Sequence, residues 1–222
     1  MNRAGPVTLD DLRSSAEQRW LAGWIDGPTE PESTGLRTGD RAPDMVLPDH
    51  TGVERSLAEF WQQQEHLVLL LFWRHFGCTC GSDRARRLRE EMTSYQNAGL
   101  HPVIVTQGEP ARAAEYRKRQ QLECPVLCDP DHRAYRAYGV GHWPVERVLF
   151  DAPSEYWSHS RDTGVSFSES RRASGRPPVD DPWRAVAEFV IGADGLVRLS
   201  YLYQYCEDYP DPRVLTTSAR LA

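Results

Sequence analysis

Apolar and polar positions alternate along the chain in a way that predicts a sheet covered by helices. Residues 67–73 form a continuous apolar run of strand length, which is typical of a central strand with helices on both faces. A charged helix is predicted after the next turn, because apolar residues recur at helical spacing from Ala85 to Tyr95. Further strands are predicted at residues 101–106 and 126–127, and further helices at residues 109–122 and 131–138.

The start of the chain has its own pattern. Residues 8–27 are predicted to form an N-terminal helix, because Thr8 can cap it and tryptophans recur at helical spacing. The stretch 27–35 is rich in proline, glycine and small polar residues, and it is interpreted as a linker. The predicted organisation is therefore an N-terminal helix and linker over residues 1–38, followed by a main domain over residues 39–222.

The second half of the main domain is less regular. Residues 140–183 are expected to form an irregular insertion, because this polar stretch is too long for a simple connection. Turn residues predict one hairpin at residues 44–57 and another at residues 184–203. The remaining helices are predicted at residues 57–63 and 211–221.

The composition is that of an ordinary globular protein, with 222 residues, 40% hydrophobic and 26% charged. A formal net charge of -6 argues against nucleic acid and membrane surfaces as partners, since both attract clustered positive charge. No apolar run approaches the ~20 residues of a membrane span, and the cytoplasm is the expected location. Five cysteines form no even disulfide framework, which favours redox chemistry or metal binding.

Two cysteines lie where thiol chemistry is favoured. Cys78 and Cys80 stand between the predicted central strand and the helix after it. A thiol reduces peroxides or opens disulfides as the thiolate, yet an ordinary cysteine is mostly protonated at neutral pH. The unpaired N–H groups of a helix N-terminus favour the thiolate, and positive charge from Arg74, Arg84 and Arg87 would add to this effect.

Four stretches of the chain, taken in order, carry a family pattern: residues 39–52, 70–80, 125–139 and 188–195. Together they resemble the peroxiredoxin-like branch of the thioredoxin-fold superfamily, the alkyl hydroperoxide reductase/thiol-specific antioxidant (AhpC/TSA) family. The resemblance implies an α/β, thioredoxin-like fold with a central mixed β-sheet flanked by helices, here with an N-terminal helical extension. It also implies a thiol-dependent peroxidase that uses no cofactor, reduces hydroperoxides and is reduced by a cellular thiol or thioredoxin-type reductant. A homodimer is expected as well.

The resemblance also implies roles for individual residues. The lead-in Arg-His-Phe-Gly-Cys at residues 74–78 matches the family, whereas the second cysteine stands one residue earlier than usual. Cys78 would attack the peroxide and Cys80 would resolve the product, since a Cys-x-Cys turn can place two Cα atoms within the ~4.4–6.8 Å that disulfides need. His75 would donate the hydrogen bond that a threonine supplies in the family, and Arg74 would contribute charge. The reverse assignment, with Cys80 as the attacking thiol, stays open.

Two other functions are compatible with the same residues. A thiol-disulfide oxidoreductase would use the same cysteine pair, although no proline adjoins Phe189 as one usually does before that strand in such enzymes. A non-enzymatic protein would bind copper or zinc through His75, Cys78 and Cys80.

The remaining candidate residues receive simpler interpretations. Cys124 and Cys128 are interpreted as buried structural cysteines. For Cys206 two interpretations stay open, a packed residue, which is favoured, and a distant resolving thiol. Arg184 stands farther before the next strand than the family's peroxide-binding arginine. The aromatic residues at 143–157 are expected to cover the cysteine turn, or else to form a surface contact.

Overall fold

The computed structural model describes residues 7–62, 67–149, 152, 154–176 and 180–220. The strands in these residues are Val46–Pro48 (β1), Glu54–Ser56 (β2), Leu67–Phe72 (β3), Leu100–Thr106 (β4), Val126–Cys128 (β5), Ala187–Ile191 (β6) and Val197–Leu202 (β7). The α-helices are Leu9–Asp26 (α1), Glu59–Gln62 (α2), Thr79–Asn97 (α3), Pro110–Arg119 (α4), Arg133–Ala137 (α5), Val145–Val148 (α6), Arg161–Ala173 (α7) and Pro212–Arg220 (α8). Within the described residues, no helix has the length and apolar character needed to cross a membrane.

Five strands form one mixed sheet in the order β5-β4-β3-β6-β7. Strand β3 runs parallel to β4 and antiparallel to β6, and β7 pairs antiparallel with β6. Strands β3 and β7 therefore point the same way, so the turns that follow them lie at the same edge of the sheet. Strands β1 and β2 form a separate hairpin. The mixed sheet, both hairpins and the helices between the strands confirm the predicted architecture.

Strand β3 is the centre of this sheet, and its side chains divide between two hydrophobic cores. Val68, Leu70 and Phe72 belong to the core covered by α2, α5 and the β1–β2 hairpin, whereas Leu69 and Leu71 belong to the core under α3, α4 and α8. Successive strand residues point to opposite faces, so a strand covered on both sides must be apolar throughout. The continuous apolar run is the direct consequence of this position.

Helix α1 packs against the rest of the fold through its tryptophans. Thr8 forms a capping box with Asp11, and Gly27 ends the helix with a positive φ of 74°. Trp20 and Trp24 are buried in a cluster with Trp183, whose indole Nε1 donates to the carbonyl of Gly23 at 2.6 Å. The helix is thus held by residues that lie about 160 positions later in the chain.

The prediction of an irregular segment at residues 140–183 is wrong for its central part, where α7 extends over 13 residues. Ser160 caps the helix by accepting a hydrogen bond from the N–H of Thr163 at 3.2 Å. Phe167 stacks on the α1 tryptophans, and Gly164 allows the close approach, since a Cβ there would lie 2.8 Å from the Trp24 ring. The sequence pattern does not predict α7, because this Ser- and Arg-rich helix contains few apolar residues.

A buried ion pair joins α3 to the central sheet. Arg84 donates from Nε to Glu188 Oε1 at 2.7 Å and from Nη2 to Oε2 at 3.0 Å, and Tyr203 also donates to Glu188. Glu188 is fully buried on β6, opposite Leu71 of β3. Burial favours the neutral form of Arg84. The Glu188 carboxylate and Tyr203 outweigh this effect and raise the pKa of Arg84 well above its ordinary value.

We expect Arg84→Met to lower the free energy of unfolding by about 3–5 kcal/mol, because it leaves the Glu188 carboxylate buried without its cation. Urea denaturation followed by circular dichroism measures this change. Arg86→Met is the matched control, because Arg86 is also an ion-paired arginine of α3 but is exposed to solvent. That variant should unfold almost as the parent does. Equal midpoints for the two variants would contradict the assignment.

Candidate active site

The cysteine turn lies at the edge of the sheet where β3 ends. Cys78 is the N-cap residue of α3, and Cys80 lies in its first turn. The Cys78 N–H donates to the carbonyl of His75 at 3.4 Å, which closes the turn before the helix begins. Both sulfur atoms are therefore next to the unpaired N–H groups of a helix N-terminus, as the sequence predicts.

Cys78 and Cys80 are joined by a disulfide in the structure, with their Cα atoms 5.2 Å apart. This separation lies within the range expected for a Cys-x-Cys turn. The pair is nearly buried, at 9% exposure for Cys78 and 4% for Cys80. Access of solvent to the two cysteines is therefore limited.

Arg74 supplies positive charge to the sulfur atoms. Its Nη1 lies 3.6 Å from the Sγ of Cys78 and 3.5 Å from the Sγ of Cys206, and its Nη2 donates to the carbonyl of Pro182. The other two candidate arginines are engaged elsewhere, since Arg84 binds Glu188 and Arg87 stacks over the ring of Tyr209 at 4.7 Å. The expectation that all three arginines serve the cysteines is corrected to Arg74 alone.

His75 is buried beside this turn. Burial, with the charge of Arg74 next in importance, lowers the pKa of its imidazole well below the ordinary value, so the ring is neutral. Its Nδ1 atom has no hydrogen-bond partner, and across the described residues no hydrogen bond joins the ring to Cys78 or Cys80. A hydrogen bond from His75 to the attacking sulfur therefore stays a prediction for the reduced protein.

Cys206 belongs to the site, and its interpretation as a merely packed residue is corrected. It follows β7, and its Sγ lies within 4.8 Å of the Sγ atoms of both Cys78 and Cys80. Burial raises the pKa of the Cys206 thiol, and the charge of Arg74 opposes this effect. The sequence contains one signal for this position of Cys206, which is the predicted hairpin at residues 184–203. When β6 of this hairpin pairs with β3, the end of β7 lies at the same edge of the sheet as Cys78 and Cys80.

The other two cysteines are separate from the site. Cys124 and Cys128 are buried free thiols in the core under α3 and α4. Burial raises the pKa of each thiol to about 12, which keeps both protonated and unreactive at neutral pH. Their interpretation as structural residues agrees with these positions.

A cavity of about 520 Å³ opens in front of the cysteine turn. One wall contains Arg74, the cysteine turn and Cys206. Other lining residues come from α1 and from the segment at residues 140–183, with apolar contributions from Trp20, Trp24, Leu149, Ala152, Tyr156 and Phe167. The segment that was expected either to cover the cysteines or to form a surface contact lines this cavity.

The structure agrees with the weak match of Arg184 to the family's peroxide-binding arginine, and it changes one other sequence interpretation. Arg184 is fully buried and bonds to Glu30, Asp181 and His132, away from the sulfur atoms. The predicted metal ligands change, since within the described residues the group whose ligand atoms lie close together contains Cys206 with the cysteine pair and does not include His75.

Together, a mixed sheet flanked by helices and a disulfide-forming cysteine pair at the N-terminus of a helix define a thioredoxin-like thiol oxidoreductase. Residues 38–199 match the model of the AhpC/TSA family, and the chain belongs to this family. The family, the fold and the position of the cysteine pair confirm the central expectations from the sequence.

Two relatives illustrate the range of similar proteins. A putative peroxiredoxin of Mycobacterium tuberculosis is 31% identical over 109 residues, which cover 49% of this chain and 68% of that protein. The thiol-disulfide oxidoreductase ResA of Geobacillus thermodenitrificans is 32% identical over 119 residues, which cover 53% of this chain and 66% of that protein.

The fold is also that of a solved peroxiredoxin structure. Peroxidoxin BcpB from Mycobacterium tuberculosis superposes with a TM-score of 0.58 at 16% identity, over 84% of this chain and 97% of that one. At this identity the likeness concerns the fold alone.

We expect Arg74→Gln to slow the alkylation of reduced Cys78 at pH 7 by about tenfold, because a unit charge next to the sulfur favours the thiolate. The rate is measured with iodoacetamide and assigned to Cys78 by peptide mapping. Arg87→Gln serves as the control, since this nearby arginine of α3 contacts Tyr209 and Asp83 instead of the sulfur atoms. A similar rate in both variants would show that Arg74 does not activate the thiol.

Proposed function

We propose that this protein is a thiol-dependent peroxidase in which Cys78 attacks the hydroperoxide and Cys80 resolves the oxidised product. The observation that carries the proposal is the Cys78–Cys80 pair at the N-terminus of α3, with the Arg74 guanidinium 3.6 Å from the Cys78 sulfur. Membership of the AhpC/TSA family supports the same reaction.

In the first step, the Cys78 thiolate attacks the terminal oxygen of the hydroperoxide and the O–O bond breaks. Sulfur is oxidised to a sulfenic acid, the peroxide is reduced, and the leaving alkoxide takes up a proton to become an alcohol. Arg74 stabilises the thiolate before the attack and the negative charge that develops on oxygen during it. The carbonyl of Pro182 holds the guanidinium in place for both tasks.

In the second step, the Cys80 thiolate attacks the Cys78 sulfur, and the sulfenic oxygen leaves as water after protonation. The product is the disulfide that the structure contains. Two electrons from a cellular thiol or a thioredoxin-type reductant then restore both thiols. His75 remains a proposed positioning residue for the reduced Cys78 sulfur.

A thiol-disulfide oxidoreductase is the second candidate function, supported by the similarity to ResA. Such an enzyme must bring its disulfide into contact with another protein. The low exposure of Cys78 and Cys80 favours a small substrate instead, because a protein disulfide cannot enter the cavity easily. Reduction of insulin at a rate above that of peroxide would favour this alternative.

Metal binding is the third candidate, now with a different set of ligands. The thiols of Cys78, Cys80 and Cys206 would suit Cu(I) or zinc once the disulfide is reduced. Stoichiometric copper or zinc in the purified reduced protein would support this function over the peroxidase.

The proposal includes the cytoplasm as location and a homodimer as the assembly. Free thiols at Cys124, Cys128 and Cys206 support a reducing compartment, because oxidising compartments favour paired cysteines. The dimer is tested by light scattering of the reduced and oxidised protein.

We expect Cys78→Ser to abolish hydroperoxide reduction, because it removes the attacking sulfur. In Cys80→Ser the oxidised Cys78 should persist as a sulfenic acid or form a disulfide with Cys206, which dimedone labelling and intact mass distinguish. Cys124→Ala is the control, since it removes a buried thiol outside the cavity and should keep peroxide turnover. The reverse pattern would exchange the two roles, and full activity in both serine variants would contradict the proposal.

A further inference from the structure

Arg171 of α7 lines the cavity, and within the described residues it forms no salt bridge with a carboxylate. Its guanidinium lies over the ring of Trp20 at 4.2 Å and over the ring of Phe167 at 4.5 Å. Its Nη2 atom is buried and has no hydrogen-bond partner. Most other buried arginines of this protein do have one, as the pairing of Arg84 with Glu188 shows.

Further buried N–H groups around the cavity are also unpartnered. The indole Nε1 atoms of Trp20 and Trp24 and the Nε of Arg74 make no hydrogen bond, and all three residues line the same cavity as Arg171. These groups are donors without acceptor capacity. A buried donor without an acceptor costs free energy, so a ligand that brings acceptor oxygens is favoured here.

The charge around the cavity favours an anion as that ligand. Four arginines line it, Arg74, Arg147, Arg171 and Arg176, against one carboxylate, Glu207. Burial, and then the charges of Arg74 and Arg176, lower the pKa of Arg171 to about 9, so the cation is retained at neutral pH but is poorly solvated. The planar guanidinium matches a carboxylate, and the aromatic rings beneath it hold its plane in position.

The remaining wall favours an apolar body attached to the anion. Trp24, Leu149, Tyr156 and Phe167 contribute apolar surface to the cavity that Arg171 and the cysteine turn also line. Such a wall adds affinity for an organic group and none for hydrogen peroxide.

We propose that Arg171 binds the carboxylate of an organic hydroperoxide whose apolar body contacts Trp24 and the other apolar residues of the cavity. The enzyme therefore prefers acidic hydroperoxides over neutral ones. This inference rests on the proposed peroxidase function. It assigns substrate selection to α1 and α7 and leaves the attack on the O–O bond to the cysteine turn.

The test compares 4-(2-hydroperoxypropan-2-yl)benzoic acid with its methyl ester, which has the same peroxide and ring but no charge. In the parent protein we expect kcat/KM for the acid to exceed that for the ester by about tenfold or more, the scale of a hydrogen bond to a charged group. This comparison needs no variant. A ratio near one, with both compounds reduced, would overturn the inference and leave the peroxidase intact.

Variants then assign the preference to Arg171. Arg171→Gln should bring the ratio of acid to ester close to one, and Arg171→Lys should retain part of the preference because it keeps the charge without the planar fork. Arg172→Gln is the matched control, since Arg172 is the next residue of α7 but is exposed and paired with Glu17. An unchanged ratio in Arg171→Gln would overturn the assignment.

Binding provides a readout that does not depend on turnover. The alcohol product, 4-(2-hydroxypropan-2-yl)benzoate, should bind the disulfide form, and Arg171→Gln should weaken its Kd about tenfold by calorimetry. Arg171-dependent binding without reduction of any hydroperoxide would support the anion site and overturn the peroxidase. Absence of binding in the parent protein would overturn the anion site itself.

Discussion

The site depends on the burial of β3 between two cores. A strand covered on both faces cannot shift along its axis without moving apolar side chains out of one core, so its end has a defined position. Because only a short turn separates Phe72 from Cys78 and Cys80, the end of β3 also fixes where these cysteines lie. Since β7 runs parallel to β3 two strands away, the segment that contains Cys206 reaches the same edge.

Three arginines, Arg84, Arg74 and Arg171, show how this edge differs from the rest of the molecule. Arg84 lies in the core and has a carboxylate, so its charge serves stability. Arg74 has a carbonyl and two sulfur atoms as neighbours, and among the described residues Arg171 contacts the rings of Trp20 and Phe167. These two guanidinium groups in the cavity are therefore available to a reacting anion.

Local patterns in the sequence predict the strands, the hairpins and the cysteine turn, because each depends on residues close together in the chain. The same reasoning could not show that Arg74, and not Arg84, lies beside the sulfur atoms. That difference depends on Glu188, which is more than one hundred positions away from either arginine. It also missed Cys206, whose position depends on the order of strands in the sheet. Helix α7 was missed because Phe167 is its main apolar contact, and an amphipathic pattern needs several.

The part of the chain that matches the family ends at residue 199 and begins at residue 38, and the cavity extends beyond both limits. Trp20 and Trp24 precede the matched region, and Cys206 follows it. Part of the cavity wall is therefore encoded outside the region that matches the family, whereas Cys78, Arg74 and Arg171 are encoded within it. Substitutions at Trp20 or Trp24 would therefore change the shape of the cavity while leaving every residue of the matched region as it is.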